Sequence, residues 1–573
     1  MHHIWLNSYP AGVQPQINLD EYASVNDMFA RTCRKFPNHP AFQNLGTVLS
    51  YSEVENRSRE FAAWLQSLPE LQKGSRVALM LPNLLQYPIA FFGVLRAGMI
   101  VVNVNPLYTA RELEHQLKDS GAEAIVILEN FAHVLEKVIA RTNVKYTVTT
   151  EVGDLVSAPH RWLVNFAVKR VKKMVPRWHL DRAIGFRAAL ALGRQARLHE
   201  ASPGRDHIAL LQYTGGTTGT AKGAILTHGN LVANVLQGAA WAHGKFQEGS
   251  EIVVTALPLY HIFSLTVNCL LFTKLGGLNV LITNPRDMRG FVKELKKTRF
   301  TAISGVNTLF NGLLNTPGFA QLDFSSLKVA LGGGAAIHRA VAERWRAVTG
   351  HPLTEGYGLT EASPLVACNP VDSEYSGAIG LPFPSTEVAI REDNRDLPLG
   401  SVGEICVRGP QVMQGYWQKL DETLNIFTPD GWLRTGDIGV MDERGYVRVT
   451  DRKKDVILVS GFNVYPNEVE EVIGAIPGVV ESAVVGVPDH VSGEIVKAFL
   501  VVADPSLTPE VVTAFCRQHL TSYKVPKVVE FRQDLPKNPV GKVLRRELRP
   551  TLIRPEEMSM SNPAAAPLGG EIR

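Results

Sequence analysis

The chain has 573 residues, 45% hydrophobic and 20% charged, a composition that predicts a soluble globular protein and excludes a disordered chain. Its net charge of +4 is small for this length, which argues against a nucleic-acid-binding protein. The five cysteines lie far apart, without a CxxC pair or a Cys/His cluster. This spacing argues against a zinc site and a disulfide framework, and it favours the reducing cytoplasm.

Short apolar runs alternate with amphipathic stretches through the first two thirds of the chain. Runs of strand length occur at residues 76–82, 99–105, 123–129, 251–258, 278–284, 302–306 and 327–334. Helical periodicity lies between several of them, for example at 109–121 and 289–298. Strands that alternate with helices predict an α/β protein whose parallel sheets are covered by helices.

Residues 252–273 form the longest uncharged run, long enough to cross a bilayer. The run contains Pro258, His261 and Asn268, each of which would be unfavourable in lipid. The sequence therefore predicts a buried strand, a turn and a buried helix here, not a membrane span.

The pattern changes from about Pro382, where short alternating segments with turn signals predict a β-rich subdomain. We predict an N-terminal domain at 1–450, a hinge at 451–455 and a small α+β C-terminal domain at 456–554. In that domain a helix should begin after Thr508 as N-cap with Pro509 in its first turn, and a basic helix is predicted at 543–549. Residues 555–573 have little to bury and are predicted to be disordered.

Residues 213–224 read YTGGTTGTAKGA and follow an apolar run. Backbone N–H groups and hydroxyls of such a loop can surround phosphate oxygens, while Lys222 supplies positive charge. The loop is not a Walker A motif, because Ala221 precedes the lysine and Gly223 follows it. An ordinary Gly/Thr surface loop is the alternative interpretation.

Three further segments carry chemistry. Residues 354–361 (TEGYGLTE) place Glu361 after a glycine-bearing turn, where its carboxylate suits Mg²⁺ beside phosphates. Residues 431–437 (GWLRTGD) put Asp437 in a tight loop, where it could accept from ribose hydroxyls. Residues 451–455 (DRKKD) and 460–466 (SGFNVYP) combine a charged hinge with a Gly/Pro loop. Each segment alone is equally consistent with exposed caps, turns and a solvated charge run.

Together, in this order, the four segments resemble the adenylate-forming superfamily of acyl-CoA synthetases, luciferases and peptide-synthetase adenylation domains over nearly the whole chain. Residues 82–88, 103–108, 257–263 and 451–466 are written as in bacterial long-chain fatty acid:CoA ligases, and residues 430–454 resemble their fatty-acyl synthetase signature. One departure is Ala221, since proline usually precedes the loop lysine.

The resemblance implies an enzyme of fatty acid degradation or lipid metabolism that joins a long-chain fatty acid to CoA. ATP and Mg²⁺ would serve an acyl-adenylate step, which releases pyrophosphate, and CoA would then displace AMP. No nucleic acid is implied as a partner, and a homodimer stays open.

The resemblance also implies roles for individual residues. The catalytic residues would be Lys542, Thr360, Glu361 and Lys222, with Glu361 also the metal ligand. The nucleotide would contact Tyr213, Thr214, Gly215, Gly216, Thr217, Thr218, Gly219, Gly332, Gly333, Gly334, Tyr357, Asp437 and Arg452. The acyl pocket would involve His261, Gly305 and Asn307, and the CoA loop Ser460, Gly461 and Phe462.

Lys542 lies in residues 536–546 (PKNPVGKVLRR), which resemble a C-terminal motif whose last lysine reaches the active site. Its basic neighbours also fit a solvated patch. In the resemblance, the C-terminal domain rotates about residues 451–454 between the two half-reactions.

Three other functions stay open at this point. The first is an aryl- or medium-chain-acid:CoA ligase. The second is a standalone adenylation module, which is less favoured because no phosphopantetheine site follows Pro555. The third is a non-enzymatic ligand-binding or membrane-adaptor protein, which would lack ATP–pyrophosphate exchange.

Residues 160–200 contain ten basic and two acidic side chains, so this segment carries +8. Leu163, Phe166, Ala167, Val171 and Met174 follow helical spacing beside Trp162, with lysines on the other face. This pattern is typical of a helix on the inner face of an anionic membrane, with Lys169, Arg170, Lys172 and Lys173 as its contacts. A solvent-exposed helix packed on the N-terminal domain explains it equally well.

Overall fold

The computed structural model describes residues 3–214, 221–538 and 541–549, and the chain divides into two units. The larger unit comprises Met1–Lys454 and Lys537–Lys542, and the smaller comprises Asp455–Pro536 and Val543–Arg573. The division at Lys454 falls within the segment predicted as a hinge. The predicted disordered tail lies outside the described residues.

A seven-stranded sheet lies in the first half of the larger unit. Its strands are parallel except for the last pair, and several are buried along their whole length, as expected of strands covered on both faces. In spatial order they are Ile184–Gly185, Tyr146–Thr150, Ala124–Leu128, Arg76–Met80, Ile100–Asn103, Ile208–Thr214 and Lys222–Thr227.

A nine-stranded sheet is the second large sheet of the larger unit. Its central strands are parallel and its outer pairs are antiparallel. In spatial order they are Leu381–Pro382, Leu365–Cys368, Leu353–Gly358, Val329–Gly332, Ala302–Gly305, Ile252–Thr255, Leu278–Leu281, Pro40–Asn44 and Thr47–Ser50.

The β-rich region predicted from about Pro382 is a five-stranded antiparallel sheet. Its strands, in spatial order, are Arg395–Asp396, Glu387–Glu392, Gly403–Arg408, Leu433–Met441 and Val447–Arg452.

Helices cover the two large sheets, and their ends follow local sequence signals. Ala110–Ser120, for example, begins with a capping box between Thr109 and Glu112 and ends at Gly121 in the left-handed conformation. The other α-helices of this unit are Val25–Lys35, Tyr51–Ser67, Gln86–Arg96, Ala132–Glu136, His160–Phe166, Phe186–Gln195, His228–Trp241, Ile262–Ser264, Leu271–Lys274, Met288–Leu295, Asn307–Leu314, Arg339–Thr349 and Leu420–Ile426.

Shorter helical pieces complete the larger unit. Two π-helical segments, Ala167–Val171 and Leu265–Leu270, continue α-helices. The 3₁₀ turns are Ile4–Ser8, Leu19–Glu21, Glu129–Phe131, Ile139–Arg141 and Thr360–Ala362.

The smaller unit is α+β. Its antiparallel strands are Phe462–Val464, Ile457–Val459, Gly493–Val502 and Val479–Asp489, and Val528–Phe531 pairs in parallel with Gly493–Val502. Its α-helices are Pro466–Gly474 and Pro509–His519, the second capped by Thr508 as predicted. The 3₁₀ turns are Ser522–Lys524 and Arg545–Glu547.

Two sequence-based predictions of helices need correction. The basic helix predicted at 543–549 is only the 3₁₀ turn Arg545–Glu547. The helical spacing predicted as far as Met174 is not kept, since the helix ends at Val171 and Lys173 has a positive φ of 49°. In contrast, residues 252–273 form the predicted buried strand and helix, and no helix among the described residues is long and apolar enough to cross a membrane.

Candidate active site

Nine of the predicted site residues lie where four adjacent parallel strands end. The strand Ile252–Thr255 leads to His261, and Ala302–Gly305 leads to Asn307. Val329–Gly332 continues into Gly333 and Gly334, and Leu353–Gly358 carries Tyr357 and precedes Thr360 and Glu361. Carboxyl ends of parallel strands share one edge of a sheet, which is where open α/β sheets bind their ligands. The topology therefore brings together residues that are separated by about 100 positions in sequence.

The glycines at this edge are required by close packing. A Cβ at Gly333 would lie 3.0 Å from the carbonyl oxygen of Gly356, and Gly334 has a φ of +76°. The N–H of Gly333 donates to the carbonyl of Gly305 at 3.1 Å, which joins two of the strand ends. A flat ligand can approach backbone here because side chains are absent.

The predicted phosphate loop is bracketed by two antiparallel strands. Thr214 lies opposite Lys222 in their register. The hydroxyl of Tyr213 donates to Asp119 Oδ2 at 2.7 Å, and burial raises the pKa of Tyr213 well above its usual range. The predicted ligands Gly215, Gly216, Thr217, Thr218 and Gly219 lie outside the described residues.

Tyr416 links the candidate lysine and the candidate metal ligand. Its hydroxyl donates to Glu361 Oε1 at 2.7 Å, and Lys222 Nζ lies 5.3 Å from the centre of its ring. Lys222 also forms an ion pair with Glu422. Burial, and then the charge of Glu361, raises the pKa of Tyr416 far above its usual range, so the phenol stays protonated and donates.

The position of Tyr416 is fixed by backbone pairing. The N–H of Ile225 donates to the carbonyl of Gly415 at 2.9 Å. The N–H of Trp417 donates to the carbonyl of Gly223 at 2.8 Å. Residues 414–417 therefore add an extra strand segment beside Lys222–Thr227. Neither Tyr416 nor Glu422 could be predicted from the sequence, since both depend on this long-range pairing.

Asp437, Tyr357 and Arg452 form a second cluster. Tyr357 donates its hydroxyl to Asp437 Oδ2, and Arg452 Nε lies 3.1 Å from Asp437 Oδ1. Asp437 and Arg452 are partners in the register of neighbouring strands. The aspartate is only 5% exposed, and these two partners fix the orientation of its carboxylate.

The segment that contains Lys542 clusters with the larger unit. The N–H of Lys542 donates to Asn538 Oδ1 at 2.8 Å, and its carbonyl accepts from the N–H of Asn538 at 2.8 Å. Gly541 has a φ of +88°, and a Cβ there would lie 2.7 Å from Thr308 Oγ1. A close turn against Thr308 therefore needs glycine before the lysine.

His261 lies within electrostatic range of Lys542. Burial, with a smaller contribution from the charge of Lys542, lowers the pKa of His261 to about 4, so its ring is neutral at pH 7. Nδ1 of His261 accepts from the N–H of Phe263 at 3.3 Å and caps the helix that begins there. Asn307 is also engaged, since its Oδ1 accepts from the N–H of His338 at 3.0 Å.

An almost wholly apolar cavity lies between the nine-stranded sheet and the helices packed on it. Its lining includes Gly238, Trp241, Val267, Leu271 and Phe383, together with Ala302, Ile303 and Ser304 from one strand. None of the three predicted pocket residues lines this cavity. Gly305 directly follows Ser304, however, so the same strand contributes to the cavity lining and ends at the sheet edge that carries the other site residues.

The predicted CoA loop is a tight hairpin in the smaller unit. Ser460 and Gly461 both have positive φ, 51° and 83°, between paired strands in which Val459 faces Phe462. The ring of Phe462 is exposed on one side and stacks on Tyr523 with centroids 4.9 Å apart. The hairpin thus presents a partly exposed aromatic surface.

Two family signatures cover most of the chain. The AMP-binding enzyme family matches residues 29–417, and the AMP-binding enzyme C-terminal domain matches residues 468–542. The chain belongs to the AMP-binding enzyme family. The predicted resemblance and the predicted α/β fold class are therefore confirmed.

Curated relatives narrow the class further. The long-chain-fatty-acid–CoA ligase of Escherichia coli O6:H1 is 59% identical over 551 residues, 96% of this chain and 98% of that protein. The long-chain-fatty-acid–CoA ligase of Haemophilus influenzae is 54% identical over 554 residues, with the same shares covered. The predicted enzyme class, a long-chain fatty acid–CoA ligase, is therefore confirmed.

Solved structures share the fold. The crystal structure of ATP-bound MatB from Rhodopseudomonas palustris has a TM-score of 0.79 at 30% identity, covering 92% of this chain and 98% of that one. The anthranilate CoA ligase AuaEII in complex with anthranoyl-AMP has a TM-score of 0.82 at 23% identity, covering 93% and 98%.

Proposed function

We propose that this chain joins a long-chain fatty acid to CoA at the expense of ATP, with an acyl-adenylate as intermediate. The observation that carries the proposal is the row of candidate nucleotide residues at one sheet edge, together with an apolar cavity lined in part by residues 302–304 of a strand that ends at this edge. Relatives named long-chain-fatty-acid–CoA ligase support the choice of substrates.

In the first half-reaction, a carboxylate oxygen of the fatty acid attacks the α-phosphorus of ATP. A P–O bond to the α-phosphate forms, the bond to the β-phosphate breaks, and pyrophosphate leaves. Both reactants are anionic, so positive groups must offset their repulsion. Lys222 and Lys542 supply that charge, and one such donor is typically worth about 3–4 kcal/mol in the transition state.

Glu361 is the proposed Mg²⁺ ligand. Across the described residues, no three His, Cys, Asp or Glu side chains are grouped as a metal site. This fits Mg²⁺, which commonly takes one or two protein carboxylates and completes its shell with phosphate oxygens and water. Bound there, the ion would neutralise charge on the phosphates. Tyr416 holds the glutamate oxygen by its hydrogen bond, so we assign Tyr416 a positioning role.

The nucleotide would lie along the strand ends. We place the adenine against Gly332, Gly333, Gly334 and Tyr357, where backbone is open to a flat base. Asp437 would accept from the ribose hydroxyls, with Arg452 and Tyr357 holding its orientation. Thr360 would contact the α-phosphate. Tyr213 and Thr214 would lead the phosphate loop to the pyrophosphate.

The alkyl chain would occupy the apolar cavity. Its lining offers almost no hydrogen-bonding groups, which favours a hydrocarbon over a polar or charged acid tail. The carboxylate would stay at the sheet edge near His261, Gly305 and Asn307. Because His261 is neutral, it forms no ion pair with the carboxylate of the fatty acid. The carboxylate oxygen therefore stays free to attack.

In the second half-reaction, the CoA thiolate attacks the acyl carbonyl carbon. The C–S bond forms, the C–O bond to the phosphate breaks, and AMP leaves. We propose that the hairpin Ser460, Gly461 and Phe462 contacts the pantetheine arm, and that residues 451–454 act as the hinge that exchanges the groups needed by each step.

The substrate is an amphiphile, so we also propose peripheral contact with an anionic membrane on the cytoplasmic side, through residues 160–200. A homodimer remains a prediction, which light scattering of the purified chain would test.

Thioester formation across a panel of acids tests the proposed function. With ATP, Mg²⁺ and CoA, palmitate should give acyl-CoA and AMP in equal amounts, well above octanoate, benzoate and ferulate. A preference for benzoate or ferulate would identify an aryl-acid ligase, and no thioester with any acid would contradict the proposal.

A further inference from the structure

The segment 162–174 exposes an unusual number of large apolar side chains. Trp162, Leu163, Phe166, Val171 and Met174 are each between 54% and 69% exposed. The first three lie on one face of the helix His160–Phe166, and the other two follow at its end. Such a contiguous apolar surface, here called the apolar face, is typical of an interaction site.

The opposite side of this segment is held firmly to the larger unit. Asn165 Oδ1 accepts from the N–H of Gly153 at 2.7 Å, and Asn130 Nδ2 donates to the carbonyl of Met174 at 3.0 Å. Lys169 pairs with Glu129 at 2.9 Å and with Glu151 at 2.6 Å. The apolar face is therefore presented outward by a fixed segment.

The position of Lys169 corrects the sequence analysis, which placed it among the membrane contacts. Its two acidic partners lie far away in sequence and orient it toward the protein. Arg170, Lys172 and Lys173 remain exposed beside the apolar face. Among the described residues, no acidic side chain lies within ion-pair distance of these three. They define a basic rim.

We infer that the apolar face and its basic rim dock on the surface of an anionic phospholipid bilayer. Trp162 and Phe166 would enter the interfacial region, where aromatic side chains are favoured. The basic rim would contact lipid headgroups, to which each cation near the surface adds attraction. Residues 160–200 carry +8 in a chain of +4, so the charge is concentrated at this place.

This inference rests on the proposed membrane contact, whereas the ligase chemistry does not depend on it. Binding to vesicles can be measured without any substrate, and ligase activity can be measured with acids soluble in detergent. The failure of one is therefore distinguishable from the failure of the other.

The test uses the full chain and vesicles of phosphatidylcholine with or without phosphatidylglycerol, at low and high salt. We expect binding to the anionic vesicles alone, and release as salt rises. Changing Arg170, Lys172 and Lys173 together to glutamine should lower binding about tenfold or more. The matched control removes three exposed charges elsewhere, Lys293, Lys296 and Arg299, and should bind as the unaltered chain does.

A second pair of variants tests the apolar face. Trp162→Ser with Phe166→Ser should lose binding, whereas Leu420→Ser with Leu424→Ser, which removes two exposed leucines of another helix, should not. Brominated lipid should quench tryptophan fluorescence in the unaltered chain, and less so in Trp162→Phe. Equal binding to neutral vesicles, or equal losses in the variants and their controls, would overturn the inference. Self-association that the Trp162/Phe166 variant abolishes without vesicles would assign the apolar face to a second copy instead.

Discussion

At the scale of single residues, Lys542 is proposed to act in only one of the two half-reactions. Its proposed role is to neutralise charge as pyrophosphate leaves, and nothing in thiol attack on the acyl-adenylate needs it. We expect Lys542→Ala to lower the rate of adenylate formation by about two orders of magnitude or more. Transfer from supplied acyl-AMP to CoA should be retained. Equal losses in both half-reactions, with an intact fold, would contradict this assignment.

Tyr416 offers a subtler test, because it acts through another residue. Tyr416→Phe removes only the hydroxyl that donates to Glu361, while the ring near Lys222 is kept. We expect a higher Mg²⁺ concentration for half-maximal activity and a loss of about tenfold in adenylation, on the scale of one hydrogen bond to a charged group. Fatty acid binding should be unchanged.

Glu361→Gln provides the comparison for Tyr416→Phe. It removes the carboxylate charge itself, so its activity should fall further than that of Tyr416→Phe at every Mg²⁺ concentration. If Glu361→Gln turned over normally at low Mg²⁺, the glutamate would not be the metal ligand. If Tyr416→Phe lost stability but kept its Mg²⁺ dependence, the tyrosine would be only structural.

At the scale of elements, the helix His228–Trp241 forms one wall of the apolar cavity. A Cβ at Gly238 would meet Leu365 and Leu271 at 3.4 and 3.5 Å, which is ordinary contact. Gly238→Phe should therefore fill the cavity without breaking the helix. We expect activity on palmitate to fall at least about tenfold and activity on octanoate to be kept, measured as thioester formation. Gly238→Ala, which adds one methyl group, is the matched control and should keep palmitate activity.

The same helix begins at a buried histidine. Burial, and then the charge of His207, lowers the pKa of His228 to about 3, so the folded chain holds it neutral. In the unfolded chain, His228 has its ordinary pKa of 6.5 and therefore takes up a proton below that pH. The free energy of unfolding should therefore fall as pH decreases from about 6.5 toward 3, by at most about 1.4 kcal/mol per pH unit for this residue.

Denaturant titrations at a series of pH values measure this effect. His228→Gln removes the titrating group, so its stability should depend less steeply on pH below about 6.5 than that of the unaltered chain. His490→Gln, at an exposed histidine, is the control and should keep the original slope. The same slope in all three proteins would show that His228 does not couple stability to pH.

At the scale of the whole molecule, elements with local signals were predicted well. The strands of the two parallel sheets follow continuous apolar runs, and Ala110–Ser120 is bounded by Thr109 and Gly121. Residues 543–549 have helix-forming sequence, yet Arg545 is held by Glu470 at 2.7 Å and only a 3₁₀ turn forms. Long-range ion pairs of this kind leave no local pattern.

Only part of the site could be predicted, because its long-range contacts also leave no local pattern in the sequence. Motifs pointed to residues at the strand ends, since glycines and acidic side chains mark such loops. The link from Tyr416 to Glu361 and Lys222 arises from pairing of residues 414–417 with a strand almost 200 residues earlier. The apolar cavity is lined by side chains from many elements, each of which looks like ordinary core in sequence.

The activity proposed for the whole molecule is activation of a long-chain fatty acid as its adenylate. Exchange of labelled pyrophosphate into ATP, without CoA, measures that step directly, because only reversal of adenylate formation returns the label to ATP. We predict exchange that requires fatty acid, is faster with palmitate than with octanoate or benzoate, and is lost in Lys542→Ala. An exchange rate that does not depend on the acid supplied, or no exchange with any acid while the chain is folded, would contradict the proposed activation of fatty acids.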